Sequence, residues 1–124
     1  MHGLLHHPDL SFLIGRDLDG ICFERNQLHF QFHAPLSNLK GTGICVRSKI
    51  IHHAKHGVVE WDCSKPLIGS CSLLLLLRTT VVRVGMPDGN LKLEFSNEET
   101  VTILYSNAKA ESYRIWDGDT VIVV

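Results

Sequence analysis

The sequence predicts a mainly β fold: two related antiparallel β-meanders forming a sandwich or partly open barrel, with one short helix. The first observation behind this is an internal echo. Arg16-Asp17-Leu18 leads through Ile21 and Phe23 to a turn and Leu28-His29-Phe30-Gln31-Phe32; some sixty residues later Arg78-Thr79-Thr80 leads through Val81, Val82 and Val84 to a Pro-Asp-Gly turn and Leu91-Lys92-Leu93-Glu94-Phe95. The second is period-two alternation in both copies, which gives each one apolar face that something else must cover. The third is length: 124 residues form one domain able to bury roughly two thirds of the surface its unfolded chain exposes, without a disulfide or metal. The expected organisation is a loose leader (1–11), a first β half (12–63), a helical connection (64–77) and a second β half (78–124).

Each element has a local reason. Phe12 to Ile14 form an apolar lead-in that Gly15 breaks, and Gly20 to Glu24 form a strand. Arg25-Asn26-Gln27 supplies a turn into Leu28 to Phe32, whose other face carries His29, Gln31 and His33. Ala34 to Asn38 ends that strand, and Gly41-Thr42-Gly43 reopens the chain into one β-branched strand, Ile44 to Ile51. His52 to Gly57 reads as a polar connection before a short strand, Val58 to Asp62. Ser64 as cap, Pro66 in a first turn and the leucine-rich run Leu67 to Leu77 predict the helix. Thr79 to Val84, the turn Met86 to Asn90 and Leu91 to Phe95 make the second hairpin, followed by Thr100 to Tyr105 and a polar loop, Ser106 to Ala110. Glu111 to Trp116, the turn Asp117 to Thr120 and Val121 to Val124 close the chain as a hairpin whose last strand is expected to be buried.

Charge and composition narrow the function. A formal net charge of -1 gives no electrostatic reason to expect nucleic acid or an anionic membrane as partner. The start of the chain lacks the pattern of a secretory signal and the longest apolar run, Leu73 to Leu77, is too short to span a bilayer, so a cytoplasmic protein is expected. Cys22, Cys45, Cys63 and Cys71 show no CxxC spacing and read as free thiols.

Eight histidines raise a metal hypothesis, with His52, His53 and His56 clustered and Cys63 and Cys71 downstream. The spacing matches no established ligand pattern, so no metal or other cofactor is expected and the cluster reads as a solvated loop. His29 and His33 lie roughly 13 Å apart along a strand, too far to chelate together. They could serve acid–base chemistry, or a cysteine could act as nucleophile with a histidine base. No segment, however, assembles a recognisable catalytic motif, and no catalytic residue is assigned.

The densest mixture of aromatic and charged residues is Glu111 to Asp119. As a hairpin it turns Tyr113 and Ile115 inward and Arg114 and Trp116 outward. Trp, Tyr and Arg are enriched at binding hot spots, and Glu111, Asp117 and Asp119 would suit a basic partner surface. The expected partner-binding residues are therefore Glu111, Arg114, Trp116, Asp117 and Asp119.

Leu13-Ile14-Gly15-Arg16, Leu91-x-Leu93-x-Phe95-Ser96-Asn97, and above all Glu111-Ser112-Tyr113-Arg114-Ile115 with Asp117-Gly118-Asp119 and Val121-Ile122-Val123-Val124 resemble a family of small bacterial β-rich proteins of unknown function. That resemblance implies a small bacterial β domain and transfers no catalytic residue. By type alone, the chain is also similar to the immunity proteins encoded beside secreted toxins. The expected function is thus non-enzymatic protein binding, as a bacterial immunity protein occluding the active site of a cognate toxin, the partner being a basic toxin domain. The alternative is a small enzyme or ligand-binding β-barrel using the face that bears His29 and His33.

Overall fold

The computed structural model describes residues 8–63, 70–107 and 111–124. Among the described residues are ten strands: β1 (Leu18–Glu24), β2 (Gln27–Phe32), β3 (Thr42–Val46), β4 (Lys49–Ala54), β5 (Gly57–Asp62), β6 (Val81–Gly85), β7 (Leu91–Phe95), β8 (Thr100–Ile103), β9 (Tyr113–Asp117) and β10 (Thr120–Val123). They form two antiparallel five-stranded sheets, β1-β2-β3-β9-β10 and β5-β4-β8-β7-β6, packed as a sandwich rather than a closed barrel.

The echo in the sequence is a duplication of register. Leu18 pairs with Phe32, Gly20 with Gln31, Ile21 with Phe30 and Cys22 with His29; in the second hairpin Val81 pairs with Phe95, Arg83 with Glu94, Val84 with Leu93 and Gly85 with Lys92. Every equivalent residue is 63 positions further on, as from Leu18 to Val81, and the bulge falls at the same place in both copies. Phe30, Phe32, Leu93 and Phe95 meet in one core, as the alternation requires.

The duplication extends past the hairpins. β3 continues the first meander and β8 the second, with Phe30 opposite Ile44 as Leu93 is opposite Val101. The two halves then exchange ends. The β4–β5 hairpin of the first half completes the second sheet beside β8, and the β9–β10 hairpin of the second half completes the first sheet beside β3. This corrects the expectation of one strand from Ile44 to Ile51. The run contains two strands in different sheets, separated at Arg47-Ser48, where the chain crosses the sandwich. Equivalent bonds seal both crossings: Arg47 N–H donates to Ser112 O and Leu104 N–H to Lys49 O, each at 2.9 Å.

Three further expectations change. His52 and His53 belong to β4 and not to a polar connection, which shrinks to the turn before β5. The leucine-rich run forms a 3-10 segment, Ser70–Leu76, that buries Leu73 and Leu76 and leaves Leu74 and Leu75 exposed. A tighter helix eclipses every third side chain, so it buries a narrow stripe instead of a broad face. The proposed cap and first turn, Ser64 and Pro66, lie outside the described residues. Finally, the last strand is an exposed edge: Val121 and Val123 are 53% and 37% exposed, while Val124 is buried. No helix among the described residues is long and apolar enough to cross a membrane.

Burial separates residues that the sequence makes look alike. Phe95→Ala should cost about 3–5 kcal/mol, because the ring is fully buried and the β sandwich cannot collapse around it. Leu39→Ala, at a position 94% exposed, should stay within about 0.5 kcal/mol. Chemical denaturation of both variants checks the contrast.

Candidate functional site

The outward face of the first sheet is where β9 and β10 present side chains. Tyr113 and Ile115 are fully buried, so alternation turns Arg114 and Trp116 outward, as the sequence predicts. Trp116 stands opposite Gly43 in β3 and its ring lies over that glycine. A Cβ at Gly43 would sit 2.4 Å from Trp116 Cζ2 and 2.6 Å from Phe30 O. The glycine is therefore what allows the indole to lie against the sheet. His29 from β2 meets the same ring edge-on, with centroids 6.1 Å apart.

Around Trp116 the charges are matched within the chain. Arg114 Nε lies 3.7 Å from Glu111 Oε1, and Lys40 pairs with Asp119. His29, Lys40, Arg114, Trp116, Gly118, Asp119 and Val121 line a shallow cavity of about 430 Å³. Beside it, Gln27 organises a second polar group: its Oε1 accepts from Arg47 Nε at 3.1 Å and from Cys45 Sγ at 3.5 Å, and its Nε2 donates to Glu24. The Gln27 bond, chiefly, holds the Glu24 carboxyl below its ordinary range. Burial pushes the Cys45 thiol up despite Arg47 and Arg114 nearby, so it stays protonated at neutral pH and is a poor nucleophile.

Of the five residues expected to bind a partner, Arg114, Trp116 and Asp119 line this cavity, and Glu111 braces Arg114 from its edge. Asp117 belongs to a different network. Its Oδ1 accepts from Thr42 Oγ1 at 2.7 Å and from Asn38 Nδ2 at 3.0 Å, with Arg16 Nη2 at 3.9 Å. It fixes the 38–41 loop against the β9–β10 turn, an arrangement completed by Gly118 N–H donating to Gly41 O. Residues missed by sequence reasoning are Gly43, Lys40 and Val121. A glycine inside a β-branched strand was the available signal, since such a glycine marks a close approach.

The histidines scatter. His29 lies 3.4 Å from Glu24 and His33 3.3 Å from Asp19, so the two do not share a partner. His52 points into the sandwich and His53 and His56 are exposed, while the side chain of Cys71 lies outside what is described. Among the described residues, no three His, Cys, Asp or Glu side chains are grouped to hold a metal ion.

His52 is instead the centre of a buried triplet. Its Nε2 donates to Glu99 Oε1 at 2.7 Å and its Nδ1 lies 3.0 Å from Ser72 Oγ, which ties the leucine-rich segment to β4. By strand register His52 is the counterpart of Ile115, so a core position of one half carries a histidine in the other. Burial pushes the Glu99 carboxyl up; hydrogen bonds from His52 and from Lys55 N–H, with the pull of His52 and His56, outweigh it and hold the group below its ordinary 4.5.

Comparison with known protein families, curated proteins and solved structures found no match to this chain. The family resemblance therefore adds nothing to the site, whose reading rests on geometry.

Two predictions follow from these contacts. Gly43→Ala should destabilise by about 1–3 kcal/mol through overpacking and shift the Trp116 fluorescence, which equilibrium unfolding followed at the indole emission will read. For Glu99, a depressed folded-state pKa means its stabilisation is present above about 4.5 and lost as pH falls through the folded value. The melting temperature of Glu99→Gln should accordingly fall less steeply than wild type below about pH 4.5, with a lower starting value at pH 7.

Proposed function

We propose that this chain is a non-enzymatic protein-binding domain whose partner seats on the outward face of β9 around Trp116. The observation that carries this is the Trp116–Gly43 pair. The equivalent pair in the other half is His53–Thr100, an ordinary cross-strand pair with His53 exposed and Thr100 half-buried. A glycine within a strand costs stability relative to a residue with a side chain, and here it lets a partly exposed indole lie directly against the sheet. A pre-ordered tryptophan beside arginine, with neighbouring charges paired in advance, has the makings of a binding hot spot that loses little entropy on association.

In its most specific form the proposal is a bacterial immunity protein that occludes the active site of a cognate toxin. The rigid sandwich suits steric blockade, which requires no chemistry from the inhibitor. The carboxylates expected to meet a basic toxin are each engaged within the chain, so Asp119 and Glu111 would act by exchanging Lys40 and Arg114 for cations of the partner.

The test uses the product of the neighbouring gene in co-expression rescue and in a binding titration. Trp116→Ala should raise the dissociation constant by at least about thirtyfold, equivalent to about 2 kcal/mol, chiefly through faster dissociation. Asp119→Asn should slow capture mainly at low salt. Asp117→Ala should lower stability by about 1–3 kcal/mol, since it leaves the buried Thr42 hydroxyl without its acceptor. Binding indifferent to Trp116→Ala would overturn the site. Turnover of a small substrate that disappears in His29→Ala would favour the histidine-face reading instead.

A further inference from the structure

Each sheet ends in two edge strands, and an edge presents unpaired N–H and C=O groups that another strand can extend. Three of the four edges here carry protection. β1 and β6 each have a bulge, and they bear Asp19, Glu24 and Arg83. β5 carries Glu60 paired with Lys49, and the Ser70–Leu76 segment packs against it.

Among the described residues, β10 carries none of these. Its pairing with β9 is regular from Thr120 to Val123, and Thr120-Val121-Ile122-Val123-Val124 contains no charged side chain, proline or glycine. Val124 N–H donates to Tyr113 O at 3.0 Å, so by antiparallel alternation Ile122 and Thr120 also bond inward to β9. The backbone groups of Val121 and Val123 therefore point away from the sheet. The duplication sharpens the contrast, because β5 is the counterpart of β10. Register makes Val58 equivalent to Val121, both exposed, and Glu60 equivalent to Val123. The same strand is thus guarded by a carboxylate in one half and bare in the other.

We infer that β10 is a self-association edge, through which two copies of this chain join their first sheets into one continuous antiparallel sheet. The strand is self-complementary about Ile122. A two-fold axis there sets Val121 against Val123 of the second copy and the reverse, gathering four valines on the outward face between the two Trp116 side chains. The electrostatics match as well. The charged side chains flanking the strand, Asp117, Asp119 and Arg114, each have an ion-pair partner within their own chain. A foreign strand would need the same uncharged run, which β10 itself supplies. The contact is short, and the dimer is accordingly reversible rather than permanent.

This inference does not rest on the proposed partner site: it concerns the backbone edge of β10, with Val121 shared between that edge and the cavity beside Trp116. Sedimentation equilibrium of the full chain tests it without any partner. Wild type should show a concentration-dependent monomer–dimer equilibrium. Val123→Glu, which copies what β5 already tolerates, should raise the dimer dissociation constant by at least about tenfold, whereas Val82→Glu on β6, at a position 52% exposed, should leave it unchanged. A monomer at every concentration up to about 1 mM, or equal effects of the two substitutions, overturns the inference. Should Val123→Glu fold poorly, amide hydrogen exchange on wild type decides. Val121 and Val123 should become protected as concentration rises, and unchanged rates would sink the idea.

Discussion

The structure hangs on one short antiparallel contact between the two halves, where Arg16-Asp17-Leu18 meets Thr79-Thr80-Val81. Leu18 N–H donates to Thr79 O and Arg78 N–H to Leu18 O; Val81 N–H donates to Arg16 O and Gly15 N–H to Val81 O, at 2.8–2.9 Å. Thr80 Oγ1 adds a bond to Asp17 Oδ1 at 2.5 Å. Both hairpins begin here, and each folds back onto it in the same way: His33 N–H donates to Asp17 O and Ser96 N–H to Thr80 O, each at 2.8 Å. A two-sheet sandwich needs something to fix how its sheets are aligned, since apolar contact alone is non-directional. This contact fixes it with directional bonds, and the exchange of β4–β5 and β9–β10 then makes each sheet depend on both halves.

That interdependence explains where the two halves diverge. Positions facing the core keep their apolar character, with Leu18 and Val81, Phe30 and Leu93, Phe32 and Phe95 all buried. A polar departure inside is His52 where the other half has Ile115, and it is accompanied by Glu99 and Ser72 within hydrogen-bonding distance. A buried imidazole without them would cost several kcal/mol at most positions of such a core, so the three residues form a unit. Its effect is to bind the Ser70–Leu76 segment across β4.

Much of this was legible in the sequence, and what was not has physical causes. The duplicated hairpins were readable because period-two alternation and a shared turn position leave few competing registers. The outward placement of Arg114 and Trp116 followed from the same alternation. The break at Arg47-Ser48 was hidden because strands of both sheets are β-branched and adjacent, so Ile44 to Ile51 reads as one element. Val121 to Val124 misled for a related reason: an apolar run signals a strand but not whether a neighbour covers it. His52 looked like part of a polar loop because its partners, Ser72 and Glu99, are distant in sequence. Gly43 lay in plain view, and its meaning depended on knowing that Trp116 stands opposite.

The comparison between halves also bears on why one surface of this molecule is the better candidate for recognition. Strand register aligns Trp116 with His53, Gly43 with Thr100, Arg114 with Ile51 and Val123 with Glu60. On the second sheet these positions hold an ordinary mixture of strand residues, including a threonine of good β propensity where the first sheet has glycine. On the first sheet the changes are coordinated: the small residue sits under the large one, and the charged side chain nearest the tryptophan is paired to Glu111 before any partner arrives. Folding stability does not explain this set, because a glycine in a central strand works against it and an unguarded edge adds nothing to it. The contact surface proposed above would account for it, since an aromatic side chain already ordered against the sheet offers contact area at low entropic cost.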